Sequence, residues 1–202
     1  MKIFICGMIG YSAAGRLLEA NRELCSARLP DFFIEQFLKL SLRNEAAKKS
    51  QMRLPEVPAL MLAPLGEGGL YRGLWNLAEE LGCGLSTDIL KVPVSQEVTE
   101  IMEICGEDPY EADSEGSFLI AAPDSVPSES GTLEEILESV TKSVTKVKNN
   151  AQDAEKIPAA YIGHTTSSKA RTIKMPEGER FLTPPARQNK DMAAKKADRA
   201  GN

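Results

Sequence analysis

The sequence is poor in the residues from which several common functional sites are built. It has one histidine, one tryptophan and four cysteines, and aromatic residues make up 5% of its 202 residues. No Cys-x-x-Cys spacing occurs, and no second histidine is present to share a zinc ion with the first. The cysteines lie far apart in apolar surroundings, which is typical of buried thiols in a reducing compartment. We therefore predict a cytoplasmic protein with neither a disulfide framework nor a metal site.

Excess positive charge and long hydrophobic runs are also lacking. The formal net charge is −5 and the sequence pI is near 5.1, which disfavours general binding to nucleic acid or to anionic membranes. No apolar run approaches the roughly 20 residues that a membrane-spanning helix needs. The 42% apolar content is enough for one domain with a real core. We expect no nucleic-acid partner and no membrane partner.

The last part of the chain differs in composition from the rest. From residue 184 onward, five basic residues outnumber two acidic ones, so this segment carries +3 and the remainder −8. Such a polar segment buries too little apolar surface to order itself. We predict one domain over residues 1–183 and a flexible basic tail over residues 184–202.

Short apolar runs and helical periodicity alternate along the domain. The runs at 2–6, 59–63, 118–122 and 159–163 are typical of buried strands. Residues 170–182 predict a terminal hairpin. The alternation predicts an α+β fold, a mixed sheet with its helices mostly on one face.

Helix boundaries are predicted from capping residues. Leu70, Leu74, Leu77, Ala78 and Leu81 form the inner stripe of a helix that Gly82 should end.

Ser12 is a candidate N-cap for a helix reaching about Cys25, with Leu24 on its inner side. Ser95 should cap a helix that ends at Gly106. Thr132 should open another helix, with Glu135 completing a capping box.

One further segment reads as a strand at the margin of the sheet. Leu85, Thr87 and Ile89 alternate with polar residues, which predicts an edge strand.

Several motifs resemble a known family. Residues 67–75, 92–97, 108–110 and 114–120 occur in the order found in the C-terminal domain of the aminoimidazole ribonucleotide (AIR) synthase superfamily. The similarity extends over about residues 3–182 and is greatest to the AIR synthase-related branch near the hydrogenase expression/formation proteins. It implies the fold of that C-terminal domain.

Two segments are candidate ligand-binding sites, and each has a structural alternative. Gly68 and Gly69, after Glu67, stand at a helix start, where uncovered backbone N–H groups can hold an anion. The alternative, which the spacing alone favours, is that these glycines serve only a tight turn from strand to helix.

The second segment is Ser114, Glu115 and Gly116. The resemblance places it beside the family's active cleft. The alternative is that Gly116 eases the chain into the next strand while Glu115 is solvated.

Two departures from the family argue against catalysis. Family members carry a His-Asp pair where this sequence has Ala63 and Pro64, neither of which can transfer a proton or bind a metal. The turn at residues 7–10 resembles one that follows the family's N-terminal domain, the domain that supplies acidic metal ligands and much of the nucleotide site. The resemblance therefore implies that this chain lacks those groups. The single histidine, His164, has no partner pattern that would indicate catalysis.

Two functions remain open. The first is a stand-alone, non-catalytic accessory or ligand-binding protein that binds phosphate or a nucleotide and associates with itself. The second is one half of an ATP-dependent synthase or maturation enzyme, whose N-terminal ATP-binding domain is a separate chain. No cofactor is predicted for this chain alone, and ATP and magnesium are expected only if that partner domain is supplied. No catalytic residue is assigned.

Overall fold

A seven-stranded mixed sheet forms the centre of the protein. The computed structural model describes residues 1–39, 57, 59–141 and 157–184. The strands in chain order are β1 (Lys2–Cys6), β2 (Met61–Pro64), β3 (Gly84–Asp88), β4 (Phe118–Ala122), β5 (Ala159–Thr166), β6 (Arg171–Met175) and β7 (Gly178–Phe181). Their spatial order is β2-β4-β1-β5-β3-β6-β7.

Strand pairing is antiparallel except between β3 and β6. The first strand lies near the middle of the sheet, because β1 pairs with β4 on one side and β5 on the other. In these pairings Cys6 lies opposite Phe118, and Lys2 lies opposite His164 at the other end of the strand. The confirmed fold class is therefore α+β with a mixed sheet.

Five helices are delimited among the described residues, and the last of them reaches residue 141, where that described segment stops. They are α1 (Tyr11–Ala20), α2 (Arg22–Arg28), α3 (Gly69–Leu81), α4 (Gln96–Cys105) and α5 (Leu133–Thr141). Residues 31–39 are also helical, and a short 3₁₀ turn spans Ile89–Lys91.

Each face of the sheet packs against a different helix. On one face Ile3, Ile5 and Leu119 are buried under the inner stripe of α3. On the other face Phe4 and Phe118 are buried with apolar residues of α5. This division follows from the two-residue period of a strand, which sends neighbouring side chains to opposite faces.

A third apolar cluster joins α1, α2, residues 31–39 and α4. It adjoins the α3 side of the sheet, because Val94 packs against both the third cluster and the first. Most helices are therefore grouped beside α3, while α5 covers the opposite face.

The predicted strands and most helix ends are confirmed. Gly82 and Gly106 end α3 and α4 in the left-handed conformation, with φ of 64° and 74°. The Ser95 hydroxyl accepts the Val98 N–H at 3.3 Å. Thr132 accepts the Glu135 N–H at 3.3 Å, and the Glu135 carboxylate accepts the Gly131 N–H instead of the Thr132 N–H.

Three predictions about the first helix were wrong. The helix predicted from Ser12 to Cys25 is two helices, which meet at Asn21, where the backbone leaves helical geometry. The first of them begins at Tyr11 after Gly10, so Ser12 is not its N-cap. Leu24 is 41% exposed rather than inward, whereas its neighbour Cys25 is buried as predicted.

The strand over residues 84–88 is not an edge strand. It lies between β5 and β6, and Ile89 belongs to the 3₁₀ turn that follows it. Alternation shows that a strand is buried on one face, but it does not show how many neighbours the strand has.

Part of the last predicted helix and nearly all of the predicted basic tail lie outside the described residues. Within the described residues, no helix has the length and apolarity to cross a membrane.

Candidate functional site

Three loops meet where β1 and β2 end and β4 begins. We call residues 7–10, 65–69 and 108–117 the loop junction. The Leu65 N–H donates to the Ser117 carbonyl at 2.9 Å, and the Ser114 N–H donates to the Gly66 carbonyl at 3.3 Å. The structure therefore brings together the two predicted candidate segments, which are distant in sequence.

The start of α3 is held closely against the 108–117 loop. The Gly69 N–H donates to the Gly66 carbonyl and the Leu70 N–H to the Tyr110 carbonyl, both at 2.9 Å. A Cβ on Gly69 would lie 2.5 Å from the Tyr110 carbonyl oxygen and 2.6 Å from that of Ala112. Two N–H groups of the helix start are thus already bonded within the protein, and the glycine is needed for the close approach.

Arg72 lies across the other glycine of the pair. A Cβ on Gly68, whose φ is 84°, would come within 2.5 Å of the Arg72 Nε. That Nε is buried and has no hydrogen-bond partner among the described residues. A cationic side chain with an unused donor therefore stands beside the helix start, where the positive end of the helix dipole also lies.

Ser114 is fully buried and has a structural role. Its hydroxyl accepts the Gly10 N–H at 2.9 Å and donates to the Ala112 carbonyl at 3.0 Å. This side chain links the first loop of the junction to the third, and its hydroxyl is enclosed by these bonds.

The two candidate carboxylates have a different setting. Glu67 and Glu115 are both exposed, and the Glu115 N–H donates to Asp113 Oδ1 at 3.1 Å. Asp113 also accepts from Arg16 at 2.7 Å, which ties the loop to α1. Gly116 follows with a φ of 97°, a left-handed turn that leads into β4. Glu67 and Glu115 therefore present their acidic groups at the surface of the junction.

Ala63 and Pro64 occupy the end of β2 beside the junction. Ala63 is buried in the apolar cluster under α3 and lies opposite Leu119. Pro64 is exposed and lies opposite Phe118. These two positions carry no side chain able to accept or donate a proton.

Two tyrosines near the junction have altered acidity. The rings of Tyr71 and Tyr110 stack at 6.2 Å, and burial raises the pKa of both hydroxyls. Asp108 raises both values further, while Arg180 acts against this on Tyr71. Both hydroxyls therefore keep their protons at neutral pH and act as hydrogen-bond donors or acceptors.

His164 lies away from the loop junction. It is an exposed residue within β5 and not beyond its end, opposite Lys2 and Ser86. Lys2 begins β1, whereas the junction adjoins the other end of that strand.

Arg72, which lies in α3 beside the loop junction, is a residue that the sequence did not single out. Its only signal was its place within residues 67–75, four residues after Gly68 and off the apolar stripe of the helix. Among the described residues, no group of three or more histidine, cysteine, aspartate or glutamate side chains is arranged to hold a metal ion.

Comparisons with known proteins find similarity in structure only. No protein-family model matches the sequence, and no curated protein sequence matches it. Solved structures do match it.

Structures of the hydrogenase maturation protein HypE are among them. Escherichia coli HypE has a TM-score of 0.59 at 18% identity, over 93% of this chain and 51% of its own. HypE in complex with ATP gives 0.56 at 16% identity, over 93% and 51%. The HypE–HypF complex gives 0.55 at 20% identity, over 91% and 52%.

This chain spans about half the length of the HypE chains that it matches. Identities of this size show a shared fold and carry no further information about activity. The fold is the one that the sequence motifs predicted, since HypE is a member of the AIR synthase-like superfamily. The chain therefore has the AIR synthase-related fold found in the hydrogenase maturation protein HypE.

Proposed function

We propose that this protein is a non-catalytic accessory protein that binds a phosphate-bearing ligand at the loop junction. The observation that supports this most directly concerns Arg72 in α3. Its Nε has no hydrogen-bond partner among the described residues and lies beside Gly68 at the helix start. A guanidinium next to a helix N-terminus attracts a phosphate through charge and N–H donors, without a metal ion.

The remainder of the junction argues against turnover. Gly69 and Leu70 donate their N–H groups to protein carbonyls, and Ser114 is enclosed by its own hydrogen bonds. Ala63 and Pro64 supply no acid, base or metal ligand. Phosphoryl transfer needs positioned metal ions or an equivalent charge beside a positioned nucleophile.

The proposal is tested by calorimetry on the full chain. We expect AMP to bind with an affinity that is unchanged when magnesium is replaced by EDTA. Arg72→Gln should weaken binding at least tenfold, since it removes the cationic donor. Arg28→Gln, on the exposed face of α2, is the matched control and should leave the affinity unchanged. Magnesium-dependent binding, or ATP hydrolysis by this chain alone, would contradict the proposal.

A second function is favoured by the exposed carboxylates Glu67 and Glu115. In this alternative the chain is one half of an ATP-dependent enzyme, and these two groups face a nucleotide held mainly by a separate chain. A HypE structure in complex with ATP makes nucleotide chemistry a reasonable expectation for the fold.

Mixing this chain with a candidate N-terminal domain chain distinguishes the two functions. The alternative predicts magnesium-dependent ATP hydrolysis by the mixture and none by either chain alone. Glu67→Gln with Glu115→Gln should abolish that activity, whereas Glu19→Gln on α1 should not. An accessory protein would show no gain in hydrolysis on mixing.

A further inference from the structure

Two of the four cysteines meet in the third apolar cluster. Cys25 lies in α2 and Cys105 is the last residue of α4, and these two helices pack against each other. The Cys25 thiol lies within hydrogen-bond reach of the Cys105 thiol. Both residues are free cysteines. The fold therefore brings together two thiols that are distant in sequence.

The other two cysteines have no such neighbour. Cys6 lies opposite Ala159, at the start of β5. Cys83 directly precedes Gly84, which lies opposite Thr166 at the far end of β5. Seven steps along an extended strand separate these two ends by about 23 Å. Cys25 and Cys105 are therefore the two thiols that the fold places in contact.

The helix that carries Cys25 has few buried contacts of its own. Cys25 is the one buried residue of α2, and residues 22–24 and 26–28 are exposed. A seven-residue helix held by a single buried side chain opens locally at a small cost in free energy. The helix can therefore make the small movement that brings two contacting sulfur atoms to bonding distance.

The two thiols differ in their access to a dissolved oxidant. Cys105 is partly exposed, whereas Cys25 is fully buried. Burial, and then the neighbouring Cys105, raises the pKa of Cys25, so this thiol keeps its proton at neutral pH. A small oxidant therefore reaches Cys105 first, and Cys25 reacts afterwards from its contact with Cys105.

We propose that Cys25 and Cys105 form a reversible disulfide when the protein meets hydrogen peroxide. The Cys105 thiolate attacks one peroxide oxygen and the O–O bond breaks, which leaves a sulfenic acid at Cys105 and a hydroxide that takes up a proton. The Cys25 sulfur then attacks the sulfenic sulfur and the S–O bond breaks, so the Cys25 proton leaves with the hydroxide as a second water. Two electrons pass from the thiols to the peroxide, and a dithiol such as dithiothreitol returns them.

The disulfide would also steady the start of one loop of the junction. Gly106 ends α4 directly after Cys105, and the Glu107 N–H donates to the Met102 carbonyl at 2.9 Å. The 108–117 loop follows at once. Fixing Cys105 to α2 therefore restricts the segment 106–112, and this effect does not depend on ligand binding at the junction.

The test uses the full chain, reduced, freed of reductant and then treated with hydrogen peroxide. We expect two of the four thiols to be lost, and mass spectrometry to show the Cys25 and Cys105 peptides joined. Dithiothreitol should restore both thiols. The oxidised protein should melt about 5 °C higher or more, because a cross-link that closes a long segment restricts the unfolded chain. Amide hydrogen exchange over residues 106–112 should slow at least threefold.

Variants then assign the bond to this pair. Cys105→Ser should abolish both the disulfide and the rise in melting temperature. Cys25→Ser should stop at the Cys105 sulfenic acid, which dimedone traps. Cys83→Ser is the matched control, since Cys83 is also partly exposed, and it should form the disulfide as the wild-type protein does.

Because Cys105 is partly exposed, its variant keeps the test valid even if Cys25→Ser unfolds. A wild-type protein that keeps all four thiols would overturn the proposal. So would oxidation of Cys105 to a sulfinic acid without a disulfide, a bond between two chains, or an oxidised protein that melts no higher than the reduced one.

Discussion

At the scale of single residues, two glycines with the same backbone conformation have very different surroundings. Gly69 and Gly82 stand at the two ends of α3, with φ of 56° and 64°. A Cβ on Gly69 would meet the Tyr110 and Ala112 carbonyl oxygens, whereas a Cβ on Gly82 would meet nothing within 4 Å. Substituting Gly82 therefore measures the energetic cost of a left-handed backbone alone. Substituting Gly69 measures that cost together with the cost of the steric clash.

We predict that Gly82→Ala lowers the free energy of unfolding by about 1 kcal/mol, the usual cost of a left-handed alanine. Gly69→Ala should lower it by about 3 kcal/mol or more, because the helix start must also move away from the 108–117 loop. Urea denaturation of both variants measures the difference. Equal losses would mean that the loop adapts to the methyl group at little cost.

The buried thiol of Cys6 makes stability depend on pH. Burial raises the pKa of Cys6 well above its usual value, so the folded protein retains this proton in alkaline solution. An unfolded cysteine loses its proton near pH 8.5. The unfolded state thus binds fewer protons above that pH, and stability falls as pH rises.

We expect wild-type protein to lose about 1.4 kcal/mol more than Cys6→Ala between pH 7.5 and 9.5, from one proton at about 1.36 kcal/mol per pH unit. Urea titrations under reducing conditions measure this. Burial, and then Cys105, also raises the pKa of Cys25. The unfolding free energy of both the wild-type protein and Cys6→Ala should therefore still fall somewhat as pH rises. Parallel pH profiles for the two proteins would show that Cys6 ionises freely in the fold.

At the scale of elements, the residues that start and end individual helices were predictable. Gly82, Gly106 and Ser95 act within one helical turn of their own position, so the sequence contains the whole signal. The break at Asn21 was missed because the residue also fits a continuous helix. Its Nδ2 bonds back to the Leu17 carbonyl at 3.0 Å, and this bond becomes visible only in three dimensions.

The Ser95 cap of α4 also links two helices. Its hydroxyl accepts the Val98 N–H and the Tyr11 hydroxyl, the latter at 2.8 Å. Ser95→Ala should therefore cost about 1–2 kcal/mol in unfolding free energy, at the upper end of the range for a lost cap. Ser95→Asp keeps an acceptor and should recover most of it.

Ser26→Ala, in the exposed part of α2, is the comparison and should be nearly neutral. Thermal and urea unfolding measure all three variants. A cost for Ser95→Ala no larger than that for Ser26→Ala would show that water replaces the cap.

At the scale of the whole molecule, the sheet is assembled from distant parts of the chain. The central strand β1 pairs with β4 and with β5, and β3 lies between β5 and β6. Sequence patterns reveal that a strand exists but not which strands flank it, so β3 was wrongly expected at an edge. The contact between Arg171 and Trp75 was missed for the same reason, since the two residues come from separate elements. The meeting of Gly66 with Ser114 was indicated only by the family resemblance.

This assembly predicts that the last strands are needed for the whole fold. A fragment of residues 1–156 lacks the strands that flank β3 and one neighbour of β1. We expect it to show no cooperative unfolding transition by circular dichroism, whereas residues 1–184 should retain the transition of the full chain. Long-range pairing of this kind also favours slow folding. A cooperative transition in the shorter fragment would mean that β1 and β4 form a stable core without β5.

The two outermost strands have a consequence for how copies of this protein behave at high concentration. Among the described strands, β2 and β7 form the borders of the sheet, and each carries a feature that discourages strand addition. Pro64 at the end of β2 offers no N–H, and β7 places Glu179 and Arg180 on its short exposed length. Borders of this kind limit open-ended growth of one sheet onto the next, so we expect the protein to resist strand-by-strand fibre formation.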